Sequence, residues 1–174
     1  IGAVNNQNAV FKNCKGKYIA ILDGDDYWTD PYKLQKQVDF LEGNPEYSGS
    51  AHQATVIYSD STKEKHLFKE NIASKLYLKN LLENRVFHTA SLLFKNEIIT
   101  KHPFPNNILS GDRALFLLLA SFGPIYFFND AMCVYRKNSN SLSHLVSDRQ
   151  MKKDLNIIPW ICSINKTFPK YRYM

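Results

Sequence analysis

The sequence predicts an α/β fold, a sheet flanked by helices, on three observations. The run Tyr18 to Leu22 is continuously apolar over the length of a strand and ends abruptly in Asp23-Gly24-Asp25-Asp26, which cannot sit inside a sheet. Segments with helical periodicity stand immediately before and after it. Farther on, a strongly apolar helix from Ala114 is stopped by Gly123-Pro124 and followed by further strand-like segments.

In chain order, Val4 to Cys14 reads as a helix with Val10, Phe11 and Cys14 on one face, closed by Lys15-Gly16 as a basic last turn and cap. Tyr18 to Leu22 is apolar on both faces, the signature of a buried strand of the parallel kind, so its carboxyl end is acidic. Asp30-Pro31 then supplies an N-cap followed by proline at the first helical position, and Leu34, Val38 and Leu41, helped by Phe40, form the apolar stripe until Gly43-Asn44-Pro45. Helix, buried strand, acidic turn and helix follow the logic of an α/β sheet, whose ligands sit at the carboxyl ends of strands. Ser48 to Tyr58 holds one or two strands, Ser59 to Asn71 is a polar loop, Ser74 to Glu83 is helical, and Ala90 to Phe94 is a strand. Pro103 and Pro105 mark an irregular connection to Gly111-Asp112-Arg113. Ile125 to Phe128 and Met132 to Tyr135 read as two short strands around Asn129-Asp130, and Asp148 to Ile164 as a final helix.

Composition excludes several classes. With 174 residues, 44% hydrophobic and 22% charged, the chain can bury a core and is not a disordered polymer. Its longest apolar run, Ala114 to Phe122, is far short of the roughly 20 residues that a membrane-spanning helix needs. The net charge of +6 and pI near 9.1 suit anionic partners without choosing among them. Three cysteines without CxxC spacing argue against a disulfide framework and a thiolate zinc site, and suit a reducing compartment.

Chemistry concentrates in the acidic turn. Three carboxylates within four residues repel one another unless protons or a cation neutralise them, and hard divalent ions take such oxygen ligands. The alternative is a solvated acidic turn ahead of the Pro31 helix. The stretch from Gly16 to Pro45, GKYIAILDGDDYWTDPYKLQKQVDFLEGNP, closely resembles the donor-site segment of the inverting family-two glycosyltransferases, with its Tyr27-Trp28 pair, D-P-x-K-L turn and amphipathic helix. The resemblance implies the GT-A fold, a Rossmann-like mixed sheet flanked by helices. It also implies transfer of a sugar from a nucleotide diphosphate sugar to an acceptor hydroxyl, with Mg2+ or Mn2+ on a D-x-D motif. Asp23 and Asp25 match the two acids of that motif and contact the donor. Asp25 and the adjacent Asp26 are both named for the metal.

Gly111-Asp112, taken alone, is an ordinary helix opening. In the family a Gly-Asp or Glu-Asp pair in this place carries the catalytic carboxylate, so the resemblance makes Asp112 the general base, although Arg113 replaces the usual aromatic. Tyr135-Arg136, followed by Asn138, Ser141 and Ser143, resembles the family segment that closes over the donor diphosphate. Arg136 suits bidentate phosphate binding, or a structural ion pair. Asn138 stands where many relatives have histidine, and His144 lies close by. His52 and His88 fall near strand ends facing the cleft, as structural histidines, and Trp28 either stacks on a sugar or packs in the interior.

The resemblance also implies that the opening base-binding βαβ elements of the complete fold are absent, with Gly2 and Asn6 matching the segment that comes after them. The chain is then one partial domain over 1–174: a donor and metal half (1–45), an acceptor half (46–146), and a C-terminal helix and basic tail (147–174). Such a chain is expected to be inactive or poorly stable alone. The partners implied are a nucleotide-sugar donor and a carbohydrate or lipid-linked acceptor, in polysaccharide or cell-wall synthesis. The setting is cytoplasmic, with peripheral contact to the cytoplasmic membrane face. Residues 149–174 carry six Lys/Arg against one Asp with aromatics interleaved, which suits an anionic lipid surface; no nucleic-acid motif appears. Two other readings are a haloacid-dehalogenase-type phosphohydrolase, which also places D-x-D after a buried strand, and a non-catalytic basic module for membranes or anions.

Overall fold

The structure is a computed structural model that describes residues 2–59, 63–137 and 147–167. Its elements are α1 (Ala3–Asn13), β1 (Tyr18–Ala20), β2 (Tyr27–Trp28), α2 (Lys33–Gly43), β3 (Gly49–Tyr58), β4 (His66–Leu67), β5 (Lys75–Leu76), α3 (Leu78–Glu83), β6 (Leu93–Lys95), α4 (Asn96–Lys101), α5 (Gly111–Phe122), β7 (Ile125–Lys137), α6 (Asp148–Met151) and α7 (Ile157–Ile164). One mixed sheet runs β1-β6-β3-β7-β2, with β4 added to β3 and β5 to β7. Among the described residues only β3 and β7 pair in parallel, from Gly49–Ile125 to Tyr58–Lys137. Helices on both faces complete the α/β architecture of the GT-A kind.

Strand residues alternate between two apolar clusters, as the pleat requires. Ile19, Phe94, Ile125 and Phe127 join the larger core with Phe11 of α1, Leu78 and Leu81 of α3, most of α5, and Ile157 and Ile161 of α7. Their neighbours Tyr18, Ala20, Leu93 and Tyr126 face the other way, against Leu41, Val38 and Phe40 of α2. Phe40 stacks on Tyr126, ring centres 3.9 Å apart. In α5 every residue from Ala114 to Ala120 is buried, which is why it reads as apolar all round.

Several expectations are corrected. β1 is antiparallel to β6, not parallel, and lies at the edge of the described sheet. Apolar character on both faces reports helices covering both sides; it carries no information on strand direction. The two short strands after α5 are one strand, β7, whose register with β3 shifts around Gln53, so the bulge absorbs Asn129-Asp130 without breaking the ladder. Ser74 to Glu83 divides into β5 and α3. Ala90 to Phe94 divides into a 3-10 turn, Thr89–Ser91, and β6. The final helix is broken into α6, a 3-10 turn at Lys152–Asn156, and α7. In α1 Val4 and Phe11 are buried whereas Val10 is exposed.

The largest correction concerns α2, whose buried face is Lys33, Gln37 and Leu41, spaced four apart, while Leu34 is 40% exposed. Gln37 earns its burial by donating from Nε2 to the carbonyls of Ser50 and Ser91, both 3.0 Å, and accepting from Lys33 Nζ at 2.8 Å. The Lys33 ammonium lies 4.3 Å over the Trp28 ring. Burial pushes its pKa down to about 8.

Two measurements check this packing. Leu41→Ala should cost about 3 kcal/mol in urea unfolding and Leu34→Ala less than about 1, because only the first opens a cavity. Burial holds His52, fully buried in β3, down at about 3, below its unfolded value of 6.5. Its contribution is therefore intact above pH 6.5 and falls as the pH drops towards 3. Between pH 7.5 and 5 the wild type should lose about 2 kcal/mol more than His52→Gln.

Candidate functional site

The acidic turn is closed by the Asp26 amide donating to the Asp23 carbonyl at 3.1 Å. Asp23 and Asp25 are exposed, and Asp26 is buried. β2 continues directly from the turn and pairs with Cys133 and Val134 of β7, so β7 anchors its far side. One pair further along, the Arg136 amide donates to Asp26 Oδ1 at 2.9 Å, and Arg136 Nε donates to the Asp25 carbonyl. Trp28 Nε1 donates to the Ala90 carbonyl at 2.9 Å, and Lys33 covers its ring, so Trp28 is committed to packing there.

The residue that the Asp23–Asp26 turn meets is His88. Its Nδ1 lies 3.4 Å from Asp26 Oδ2, and ligand atoms of Asp23, Asp26 and His88 all fall within 4.8 Å of one another. The ring is buried, stacked on Tyr135 at 4.0 Å and edge-on to Phe68. Burial pushes Asp26 up to about 6, partly offset by the Arg136 amide, with Asp25 and Asp23 adding to the rise. Burial and the nearby Arg85 push His88 down to about 4. The same two causes that raise Asp26, burial and neighbouring carboxylates (here Asp25 and Asp112), raise Asp23, and Arg85 works against them.

Asp112 sits in the first turn of α5, where the helix dipole favours a carboxylate. Its Oδ2 is 3.2 Å from Arg85 Nη2, which also donates to Thr89 Oγ1 at 3.2 Å. Arg85 and Asp112 both act on the Asp23 carboxyl, and Arg85 acts on His88 as well. A pocket of about 180 Å3 opens beside Asp112, with Arg85, Arg113, Ser110 and Phe116 in its wall. A Cβ at Gly111 would collide with the Gln7 side chain of α1, which explains the glycine before Asp112. The approach to α5 is clamped from the C-terminal segment: Asp154 Oδ1 accepts from the amides of Leu109 and Ser110, both 2.9 Å, and its Oδ2 accepts from the Ser110 hydroxyl.

Of the residues expected from the sequence, Asp23 and Asp26 converge with His88. Asp112 is not part of that cluster; it pairs with Arg85 and acts on Asp23 electrostatically. Asp25 and Arg136 line a separate cavity of about 420 Å3 with Tyr58 and Ser59. Asn138, Ser141, Ser143 and His144 lie outside the described residues. Arg85 and Asp154 were not singled out, since neither belongs to a motif; an Arg and a His three residues apart, just before a strand, was the available signal. A further cavity, about 780 Å3 around Lys15–Tyr18 and Lys95–Glu97, is lined by none of these carboxylates.

Residues 2–102, more than half of the chain, match the model of the family described as Glycosyl transferase family 2. The chain belongs to glycosyl transferase family 2. An uncharacterized protein of Mycobacterium tuberculosis (strain H37Rv) is 32% identical over 144 residues, covering 83% of this chain and 41% of that protein. TuaG of Bacillus subtilis, provisionally named a teichuronic acid biosynthesis glycosyltransferase, is 26% identical over 144 residues, covering 82% of this chain and 55% of its own. The Escherichia coli protein WfaP, named UDP-Glc:alpha-D-GlcNAc-diphosphoundecaprenol beta-1,3-glucosyltransferase, is 46% identical over 41 residues, covering 24% of this chain and 16% of its own. The chain therefore spans about two fifths of the length of its mycobacterial relative. The family match ends before Asp112 and Arg136, whose roles rest on position and geometry.

Membership of glycosyl transferase family 2 implies a divalent ion, and the residues present fit one. Two carboxylates and an imidazole nitrogen gather within 4.8 Å, and two of the three residues are buried. The clamp beneath Asp112 supplies a test. Asp154→Ala strands three donors at the start of α5, and should lower stability by about 1–3 kcal/mol in urea unfolding.

Proposed function

We propose that the protein transfers a sugar from a nucleotide diphosphate sugar to an acceptor hydroxyl, with inversion at the anomeric carbon, in the synthesis of a surface polysaccharide or related glycan. One observation carries the reading. A carboxylate at a helix start, Asp112, pairs with Arg85, and both act electrostatically on Asp23 of the acidic turn, which supports placing a base near a donor-binding group. In a single displacement the acceptor oxygen forms its bond to the anomeric carbon as the bond to the diphosphate breaks. The acceptor proton passes to the Asp112 carboxylate, and the electron pair leaves with the diphosphate.

Each remaining residue has a place in this scheme. Arg85 holds Oδ2 of Asp112 and the Arg113 amide donates to Oδ1 at 2.8 Å, which leaves one lone pair on each oxygen for the hydroxyl. Asp23, Asp25 and Arg136 border the donor, and Arg136, tied to the Asp25 carbonyl, holds the acidic turn against β7 while its guanidinium stands ready for phosphate oxygens. Asp23, Asp26 and His88 would hold Mg2+ or Mn2+, with Asp25 adjacent; a bound ion supplies Lewis-acid stabilisation of the departing diphosphate. The halves 1–45 and 46–146 each contribute to this site, the first the acids and the second His88, Arg85 and Asp112.

The WfaP name specifies an acceptor sugar on diphosphoundecaprenol. A lipid-linked acceptor of this class is proposed here too, reached from the cytoplasmic membrane face. In support, Leu155 is 73% and Met151 51% exposed beside the exposed Lys152 and Lys153 on the segment 147–174. No helix among the described residues is long and apolar enough to cross a membrane. Membership of the family sets aside the phosphohydrolase reading.

The decisive experiment screens UDP, GDP and dTDP sugars by thermal shift with and without divalent ions, then assays turnover of the stabilising donor. Asp112→Asn should lower kcat by about 10²–10⁴-fold and leave the donor-induced shift intact. Turnover within threefold of wild type would remove Asp112 as the base.

A further inference from the structure

We propose that His88 is a direct metal ligand, completing with Asp23 and Asp26 a mixed nitrogen and oxygen site that selects Mn2+ and later first-row ions over Mg2+. The inference rests on the proposed function only for the presence of a divalent ion at the acidic turn.

The argument starts from the His88 backbone. His88 precedes the 3-10 turn Thr89–Ser91, and its Nδ1 accepts the Ala90 amide at 3.3 Å. With the ring proton on Nε2, Nδ1 has one lone pair, and a metal would take it in place of this long Ala90 contact. That same Nδ1 lies 3.4 Å from Asp26 Oδ2. Asp23 brings a third ligand atom within 4.8 Å. One nitrogen and two carboxylate oxygens therefore converge within reach of a single cation.

The ring also cannot turn aside. The Tyr135 stack at 4.0 Å and the Phe68 edge fix its orientation, and the Ser91 hydroxyl donates to the His88 carbonyl at 2.6 Å. Asp26 is fixed as firmly by the Arg136 amide. A rigid nitrogen ligand changes metal preference. Mg2+ prefers oxygen ligands and keeps its waters, whereas imidazole affinity rises along the first-row series from Mn2+. The two-acid turn alone would accept either ion; the histidine breaks the tie.

The test uses the intact polypeptide and bare ions, so it needs no turnover. Free Mn2+ followed by its electron paramagnetic resonance signal should show one site, with affinity at least about tenfold above that for competing Mg2+. Pulsed resonance on the bound Mn2+ should show a histidine 14N coupling in the unmodified protein. His88→Asn, which keeps an acceptor for the Ala90 amide, should weaken Mn2+ binding about tenfold or more and leave Mg2+ binding nearly unchanged, abolishing the preference. Absence of the 14N coupling, or equal Mn2+ affinity in wild type and His88→Asn, overturns the proposal. A donor-sugar thermal shift that persists under either of those outcomes leaves the transferase reading standing, so the two fail separately.

Discussion

The parallel ladder between β3 and β7 is the constraint on which the rest depends. It brings together two distant parts of the chain, and everything chemical is attached to its carboxyl end or its flanks. β7 pairs with β2, which fixes the acidic turn, and its residue Arg136 supplies the amide that holds Asp26. The 3-10 turn carrying His88 packs against both strands, and Tyr135 of β7 forms the floor under the imidazole. The bulge at Gln53 lets two strands of unequal local length stay paired to the end. Without that correction the register beyond it would be off by three residues, an odd number, and would turn Tyr135 to the opposite face.

Electrostatics then decides how the site is filled. Asp23, Asp25, Asp26 and Asp112 collect negative charge at one end of the sheet, and the fold answers with Arg85 and Arg136 on two sides. Among the described residues neither cation forms an ion pair with Asp23, Asp26 or His88. A bound cation would offset the charge that these groups gather.

Much of this was legible in the sequence because it depends on local pattern. The apolar run before Asp23, the helix after Asp30 and the apolar α5 all declare themselves through periodicity and stop signals. The acidic turn stood out by residue type, whereas Asp112 was singled out only through the family resemblance. What escaped depends on tertiary partners. Lys33 and Gln37 look like the solvent face of α2, and only the carbonyls of Ser50 and Ser91 and the ring of Trp28 make their burial tolerable. Strand direction in β1 is set by its partner β6, and no residue within β1 encodes it. His88 looked structural because its significance lies in Asp26, 62 positions away in the chain. Asp154 stabilises a loop 44 residues before it, with no sequence mark of that task.

The position of Trp28 has an optical consequence. It is one of two tryptophans in the chain, two residues after Asp26, with its indole N–H bonded to the Ala90 carbonyl next to His88 and an ammonium over its ring. Indole emission responds to nearby charge and to the strength of that N–H bond. An ion or a diphosphate bound at the acidic turn would change the charge near an indole only two residues from Asp26. Trp28 emission would then follow occupancy of the turn, with Trp160 on α7, packed edge-on to Phe104, as the second emitter.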